Sequence, residues 1–308
     1  MDYTRFKTAI QTCVEDQLGE EADIRLQRIP KNNGVYQDGL AIMGAGSNLE
    51  PVIYLEPYYQ AYEEGKSLRE LGQLLVEEWR ENRIDETGSV GCFTDFQKAL
   101  PNICYQLVNY DKNREMLRGI PHRKILDLAL IYYYRTEQIF CNSARILIRS
   151  EHMKNWKVTD EMLYEAAVKN TRRHLPFQFM SIGQVIAGLS DDEEIGNMAD
   201  ECRDDEGMYV LTNEEKYLGA VCVCYPGVLE RIADTFGRSF FVLPSSIHEC
   251  IIVPETVEDF EGDLQEIVRE VNRLYVSEEE YLSDNVYYYD RKEKVLWLGN
   301  SICAKPLI

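Results

Sequence analysis

The chain has 308 residues, 45% of them apolar, enough for a sizeable core and for about two domains. With 53 acidic against 33 basic residues its formal charge is −20, and such a surface repels a phosphate backbone, which argues against direct nucleic-acid binding. No apolar run approaches the roughly 20 residues needed to span a bilayer. The opening Met1-Asp2-Tyr3-Thr4-Arg5-Phe6-Lys7 is amphipathic, unlike a signal peptide, so a cytoplasmic location away from membranes is expected.

Taken in chain order, Tyr3, Phe6, Ile10, Cys13, Val14 and Leu18 mark an amphipathic helix stopped by Gly19. Ile24 and Leu26 begin a strand, and Asn32-Asn33-Gly34 is a turn. Leu40–Met43 and Pro51–Leu55 read as two short strands about Gly44-Ala45-Gly46-Ser47-Asn48, and Pro57 opens a helix carrying Tyr58, Tyr59 and Tyr62. The Gly44-x-Gly46 pattern lacks the ending of a phosphate loop and reads as a hairpin turn. Ser67 and Glu70 form a capping box for a helix with Leu68, Leu71, Leu74, Leu75 and Trp79. Residues 82–92 are polar and read as a break.

Phe93, Phe96 and Leu100 suggest a short helix ended by Pro101, followed by a strand over Ile103–Val108 and a brief helix over Tyr110–Leu117. Leu128–Tyr134 and Ala144–Ile148 repeat the two-strand pattern, with a helix over Ser150–Trp156. Thr159 caps a helix through Asn170. The acid-rich stretch 190–207 lacks periodicity and reads as a linker or loop. Met208–Leu211 and Gly219–Tyr225 predict a third hairpin. Pro226 and Gly237 bracket a helix, and Phe240–Leu243 and Ile247–Val253 predict two more strands. Leu264–Leu274 predicts a helix, Ser277 and Glu280 a second capping box, and Val286–Tyr289 with Val295–Leu298 a terminal hairpin.

The pattern is α+β with mostly antiparallel sheet, built from hairpin-plus-helix (ββα) units near residues 40, 128 and 208, which raises the question of three related copies. It divides the chain into segments 1–90, 91–189, the linker 190–207, and 208–308. Nine cysteines at scattered spacings, with no C-x-x-C, fit packed thiols of a reducing compartment and no metal or cofactor. Cys222 and Cys224 would share one face of a strand, in the core.

Several stretches together carry a resemblance: Ile53-Tyr54-Leu55-Glu56 with Tyr59 and Gly65, Ile120-Pro121-His122-Arg123, Ser143–Leu147, Tyr225-Pro226-Gly227-Val228-Leu229, Leu243–Glu249 and Ser283–Asp290. Spread over nearly the whole chain, they resemble an uncharacterised domain-of-unknown-function family of anaerobic Gram-positive bacteria. The resemblance implies a bacterial cytoplasmic protein of one integrated architecture, and no activity, cofactor or catalytic residue.

Among candidate sites, Ser246 and His248 supply a nucleophile and a base for acyl transfer. Strand alternation, however, puts Glu249 on the opposite face, and no G-x-S-x-G elbow occurs. A Pro244-Ser245-Ser246 turn whose hydroxyls serve backbone amides is the favoured reading. His122 could meet His248 and, with Glu249 or Asp127, hold a metal. Two unrelated turn histidines are the favoured alternative. Asp284, Asn285 and Asp290 read as turn residues rather than calcium ligands.

The 20 tyrosines include Tyr58, Tyr59, Tyr132, Tyr287 and Tyr289, whose apolar rings and polar tips suit an interface. The leading expectation is a non-catalytic binding or adaptor protein that meets a protein partner through these tyrosines and an acidic exterior. A hydrolase using Ser246 and His248 is the alternative, and an acidic DNA-mimic inhibitor the third.

Overall fold

A computed structural model describes residues 1–44, 52–81, 93–136, 145–187, 207–255 and 261–299. Contacts divide the chain into two units: unit 1 is Met1–Ala99 with Arg135–Ile146, and unit 2 is Leu100–Tyr134 with Leu147–Ile308. The class is α+β, with antiparallel pairing in all three sheets.

In unit 1, helix α1 (Tyr3–Leu18) starts at Asp2, whose carboxylate accepts the Arg5 amide at 2.9 Å, and stops at Gly19 with φ +52°. Strands β1 (Ala22–Pro30), β2 (Tyr36–Gly44) and β3 (Val52–Tyr54) follow in the sheet order β1-β2-β3. Helix α2 (Glu56–Glu63) has Pro57 in its first turn, where the missing N–H costs nothing. Helix α3 (Leu68–Glu81) opens on the expected capping box: the Ser67 amide donates to Glu70 at 2.9 Å, and the Glu70 amide donates to the Ser67 hydroxyl at 3.3 Å. Helix α4 spans Phe96–Ala99. The apolar stripe of α1 (Phe6, Ile10, Val14, Leu18) meets Leu40, Ile42 and Ile53 of the sheet and Leu71, Leu75 and Trp79 of α3. The Trp79 indole N–H, buried in this core, donates to the Ile42 carbonyl at 3.2 Å.

Unit 2 holds two sheets. The first has the order β4-β6-β5, from β4 (Ile103–Asn109), β5 (His122–Ile125) and β6 (Leu128–Arg135), with β7 (Arg145–Leu147) also pairing with β6. Helices α5 (Arg114–Leu117), α6 (Ser150–Trp156) and α7 (Asp160–His174) lie between these elements in sequence and after them. The buried Thr171 of α7 accepts the Tyr105 amide of β4 at 3.0 Å, and Asn170 donates to the carbonyls of Leu100 and Ile103, which ties α7 to the sheet.

The second sheet has six strands in the order β13-β12-β10-β11-β9-β8. They are β8 (Phe177–Ser181), β9 (Tyr209–Asn213), β10 (Phe240–Leu243), β11 (Cys250–Pro254), β12 (Tyr287–Asp290) and β13 (Val295–Leu298). Helix α8 (Ile182–Ala187) follows β8, α9 (Val228–Phe236) precedes β10, and α10 (Glu261–Tyr275) precedes β12.

Two of the three expected ribbon-plus-helix units are present, one in β2-β3-α2 and one in β6-β7-α6. The third is not. Gly219–Cys224, expected as a strand, is a buried 3₁₀ segment, so the idea of three copies does not extend to it. Its packing explains the change. A Cβ on Gly219 would lie 2.1 Å from the Thr212 hydroxyl and 2.5 Å from the His248 carbonyl, so the segment is pressed end-on into β9 and the turn before β11. Ala220 donates to the Ile247 carbonyl at 3.2 Å, which ties the segment to the turn before β11. Cys222 is in the core as expected, but on this turn, its thiol bonded to the Thr212 carbonyl at 3.1 Å. Strand β8 was not foreseen, and the second capping box forms as a turn instead of a helix start. The Gly44-x-Gly46 turn, the break over 82–92 and the acidic stretch 190–206 lie outside the described residues. No described helix is long and apolar enough to cross a membrane.

Candidate functional site

Ser246 and His248 sit in the bend between β10 and β11, not on a strand. The main-chain N–H of His248 donates to the Ser246 hydroxyl at 2.9 Å. The Leu218 amide donates to Nδ1 of His248 at 3.2 Å. A backbone amide can only donate, so Nδ1 is an acceptor and Nε2 carries the ring proton in the neutral imidazole. Nε2 faces Glu280 Oε1 at 3.4 Å. Both ring nitrogens are committed away from the Ser246 hydroxyl, which itself serves as a turn cap and is 6% exposed. The geometry of a serine nucleophile with an imidazole base is therefore not made here.

His122 is on β5, opposite Ile131, with Nδ1 2.8 Å from the Ile120 carbonyl and its ring beside Tyr110. No hydrogen bond or ring contact joins it to His248, and no group of three or more His, Cys, Asp or Glu is poised for a metal among the described residues. Asp127, considered beside it, has a different task. Its carboxylate accepts from the Ser283 hydroxyl at 2.6 Å, the Asn285 side-chain amide at 2.9 Å and the Tyr287 hydroxyl at 2.5 Å. Asp284 accepts from Asn272 at 2.8 Å, and Asp290 caps the β12–β13 turn through the amides of Lys292 and Glu293. These carboxylates are spent on turns and ties.

The tyrosines separate into two groups. Tyr132, Tyr287 and Tyr289 are 0%, 1% and 3% exposed, so they cannot form the expected sheet surface. β-strand alternation turns Tyr287 and Tyr289 inward together. Burial, then Asp127, pushes the Tyr287 phenol well above the ordinary tyrosine range. Tyr58 and Tyr59 on α2 are only half-buried. Tyr59 packs with Tyr3, Phe6 and Tyr62, and its hydroxyl donates to the Met1 carbonyl at 3.2 Å.

Tyr58 lines an open groove of about 630 Å³ within unit 1. Ile53, Pro57, Ala61, Leu71 and Leu74 make it apolar, while Glu77, Glu78 and Glu81 of α3 form an acidic side, with Lys66 the one cation among its lining residues. The Tyr58 hydroxyl donates to Glu78, and burial followed by that carboxylate raises its pKa. Leu74 is 41% exposed, next to the buried stripe of Leu71, Leu75 and Trp79 on α3. Sequence reading named Leu74 among the apolar residues of this helix, and periodicity gives a face but not what covers it.

No curated protein and no solved structure matches the chain. Residues 3–291 match a family described as a Family of unknown function (DUF5688), and the chain belongs to that family.

Proposed function

We propose that the protein is a non-catalytic binding protein of the cytoplasm, whose unit 1 groove takes a basic, amphipathic segment of a partner protein. The observation that carries this reading is the groove's make-up: an apolar bed with Leu74 and the Tyr58 ring open at the surface, beside three carboxylates on one helix. A segment with apolar residues on one face and Lys or Arg flanking it would bury the first on the bed and set the second against the acids. The formal charge of −20 speeds the encounter with such a partner. The described cysteines, Cys13, Cys104, Cys222, Cys224 and Cys250, are all free thiols, which suits a reducing compartment.

The test is fluorescence anisotropy with a labelled 14-residue Leu/Lys amphipathic peptide. Three rim charges, Glu77 and Glu81 exposed and Glu78 half-buried beside the Tyr58 hydroxyl, at about 0.5 kcal/mol each amount to about tenfold in affinity. E77Q/E78Q/E81Q should therefore bind about tenfold more weakly. E214Q/E215Q, in an exposed turn of unit 2, should bind as the unaltered chain does. Equal loss in both variants, or none in either, would contradict the reading.

A further inference from the structure

Strand β1 runs for nine residues at the edge of the unit 1 sheet, and among the described residues it pairs only with β2. The bonds around β2 fix which of its backbone groups face outward. The Asp38 amide donates to Glu56 at 2.8 Å, and the Asp38 carbonyl accepts the Leu55 amide at 2.9 Å, both on the side away from β1. Backbone groups in an antiparallel ladder turn alternately to either side, so Leu40 and Ile42 also turn away from β1. Their partners in register, Arg28, Leu26 and Ile24, then turn their N–H and C=O groups away from β2 and out of the sheet edge. The Ile24 carbonyl is taken there by the Gln11 side chain at 3.4 Å. The outward groups of Leu26 and Arg28 meet no hydrogen-bond partner among the described residues, and such an edge is a template for a further strand.

The side chains along this edge say what would fit. From Ile24 to Gln37 the chain carries Arg25, Arg28 and Lys31 and no acid, within a protein of formal charge −20. Arg25 and Arg28 are exposed, and the Arg28 guanidinium lies 4.6 Å from the Tyr36 ring centroid, which holds it beside the edge. Leu26 between them is 36% exposed. We infer that β1 receives an extended, acidic segment of a partner protein as a fourth, antiparallel strand. An apolar residue lies opposite Leu26, and carboxylates lie opposite Arg25 and Arg28. A second copy of this chain is the poorer occupant, because it would crowd these arginines against their own kind and bring two charges of −20 together. The edge shares no residue with the groove and selects the opposite charge.

The experiment is an anisotropy titration of the full chain with the labelled, end-blocked peptide Thr-Glu-Thr-Val-Glu-Val-Thr, and with the same peptide carrying Lys for Glu. The Glu peptide should bind about fivefold more tightly, the worth of two exposed ion pairs. The net charge alone predicts the reverse order, which makes the comparison decisive. R25Q/R28Q should remove the preference. L26P takes away an outward N–H and leaves the ladder with β2 whole, as proline does on an edge strand, so it should fold and bind the Glu peptide at least about tenfold more weakly. Q27P removes an N–H that faces Gly39 of β2 and should instead lower stability in urea unfolding. If L26P does not fold, N-methylation of the peptide's central Val tests the same bond from the other side and should weaken binding equally. The Leu/Lys peptide should bind L26P as it binds the unaltered chain, which separates this edge from the groove. No binding of the Glu peptide, tighter binding of the Lys peptide, or binding indifferent to L26P and to N-methylation would overturn the inference. So would a dimer in sedimentation velocity that is lost in L26P, since the edge would then belong to a second copy.

Discussion

Nε2 of His248 lies 3.4 Å from Glu280, a carboxylate that sequence reading assigned to a capping box with Ser277. Ser277 still accepts the Glu280 amide at 3.3 Å, so half of that box exists, but the acid has turned toward the imidazole. The same imidazole receives the Leu218 amide on Nδ1, at a residue held in the left-handed region with φ +56°. His248 thus joins the turn before β11 to the chain leading into the 3₁₀ segment, and its task is architectural.

Ser246 should accordingly behave as a turn residue. A fluorophosphonate probe is expected to leave it unlabelled, as read by mass spectrometry of its peptide. Ser246→Ala should lower stability by about 1 kcal/mol, the usual cost of removing a side-chain cap from a backbone amide, as measured by urea unfolding. Covalent labelling of Ser246 that disappears in Ser246→Ala would restore the hydrolase reading.

Asp127 holds the β5–β6 turn to Ser283, Asn285 and Tyr287 through three accepted hydrogen bonds. Asp127→Ala would strand the Ser283 hydroxyl, which is fully buried, and the Tyr287 hydroxyl, 1% exposed. The expected loss is about 2–6 kcal/mol, since each of the two buried hydroxyls left unpaired costs about 1–3 kcal/mol. Chemical denaturation checks it, and a cycle with Tyr287→Phe should show the two losses to be non-additive. Additive losses would mean that Asp127 and Tyr287 act separately.

Burial raises the phenols of Tyr105, Tyr225 and Tyr287 above their ordinary value in the folded protein. The unfolded chain releases these protons near pH 10, and the folded chain only at higher pH. Above about pH 10 the native state therefore binds more protons than the unfolded one. Stability contributed by these residues is intact below that pH and falls as pH rises through and beyond it. Absorbance at 295 nm should show a fraction of the 20 tyrosines ionising only together with alkaline unfolding. Full ionisation near pH 10 with the circular dichroism spectrum unchanged would contradict this.

Much of the layout was legible because it rests on local chemistry. Gly19 after an apolar stripe, Pro57 opening α2, the Ser67–Glu70 box and the Thr159 cap each act within one turn of chain, and each appears in the structure. The terminal hairpin was legible from two short aromatic and aliphatic runs joined by the charged turn Asp290–Lys294. What failed depended on distant neighbours. Gly219–Cys224 has strand-like composition, but the close approach of Thr212 and the His248 carbonyl leaves room only for a tight turn. Asp127 finds its partners about 160 residues away. The tyrosine runs were readable as half-polar surface, yet Tyr132, Tyr287 and Tyr289 are covered by elements whose placement no local pattern gives. For the groove, Tyr58 was named for its chemistry, while Leu74 and the acids at 77, 78 and 81 became a site only when α2 and α3 came together.

The groove carries the functional reading, and Leu74→Asp tests it most directly. This change adds a fourth negative charge beside Glu77, Glu78 and Glu81 while removing the exposed apolar side chain from the bed. If the groove receives the apolar face of a basic segment, the Leu/Lys peptide should bind Leu74→Asp about tenfold or more weakly than the unaltered chain in the anisotropy titration, in line with the transfer cost of one buried leucine side chain. Unchanged or tighter binding would show that the peptide senses only negative charge, and would contradict the groove as the binding site.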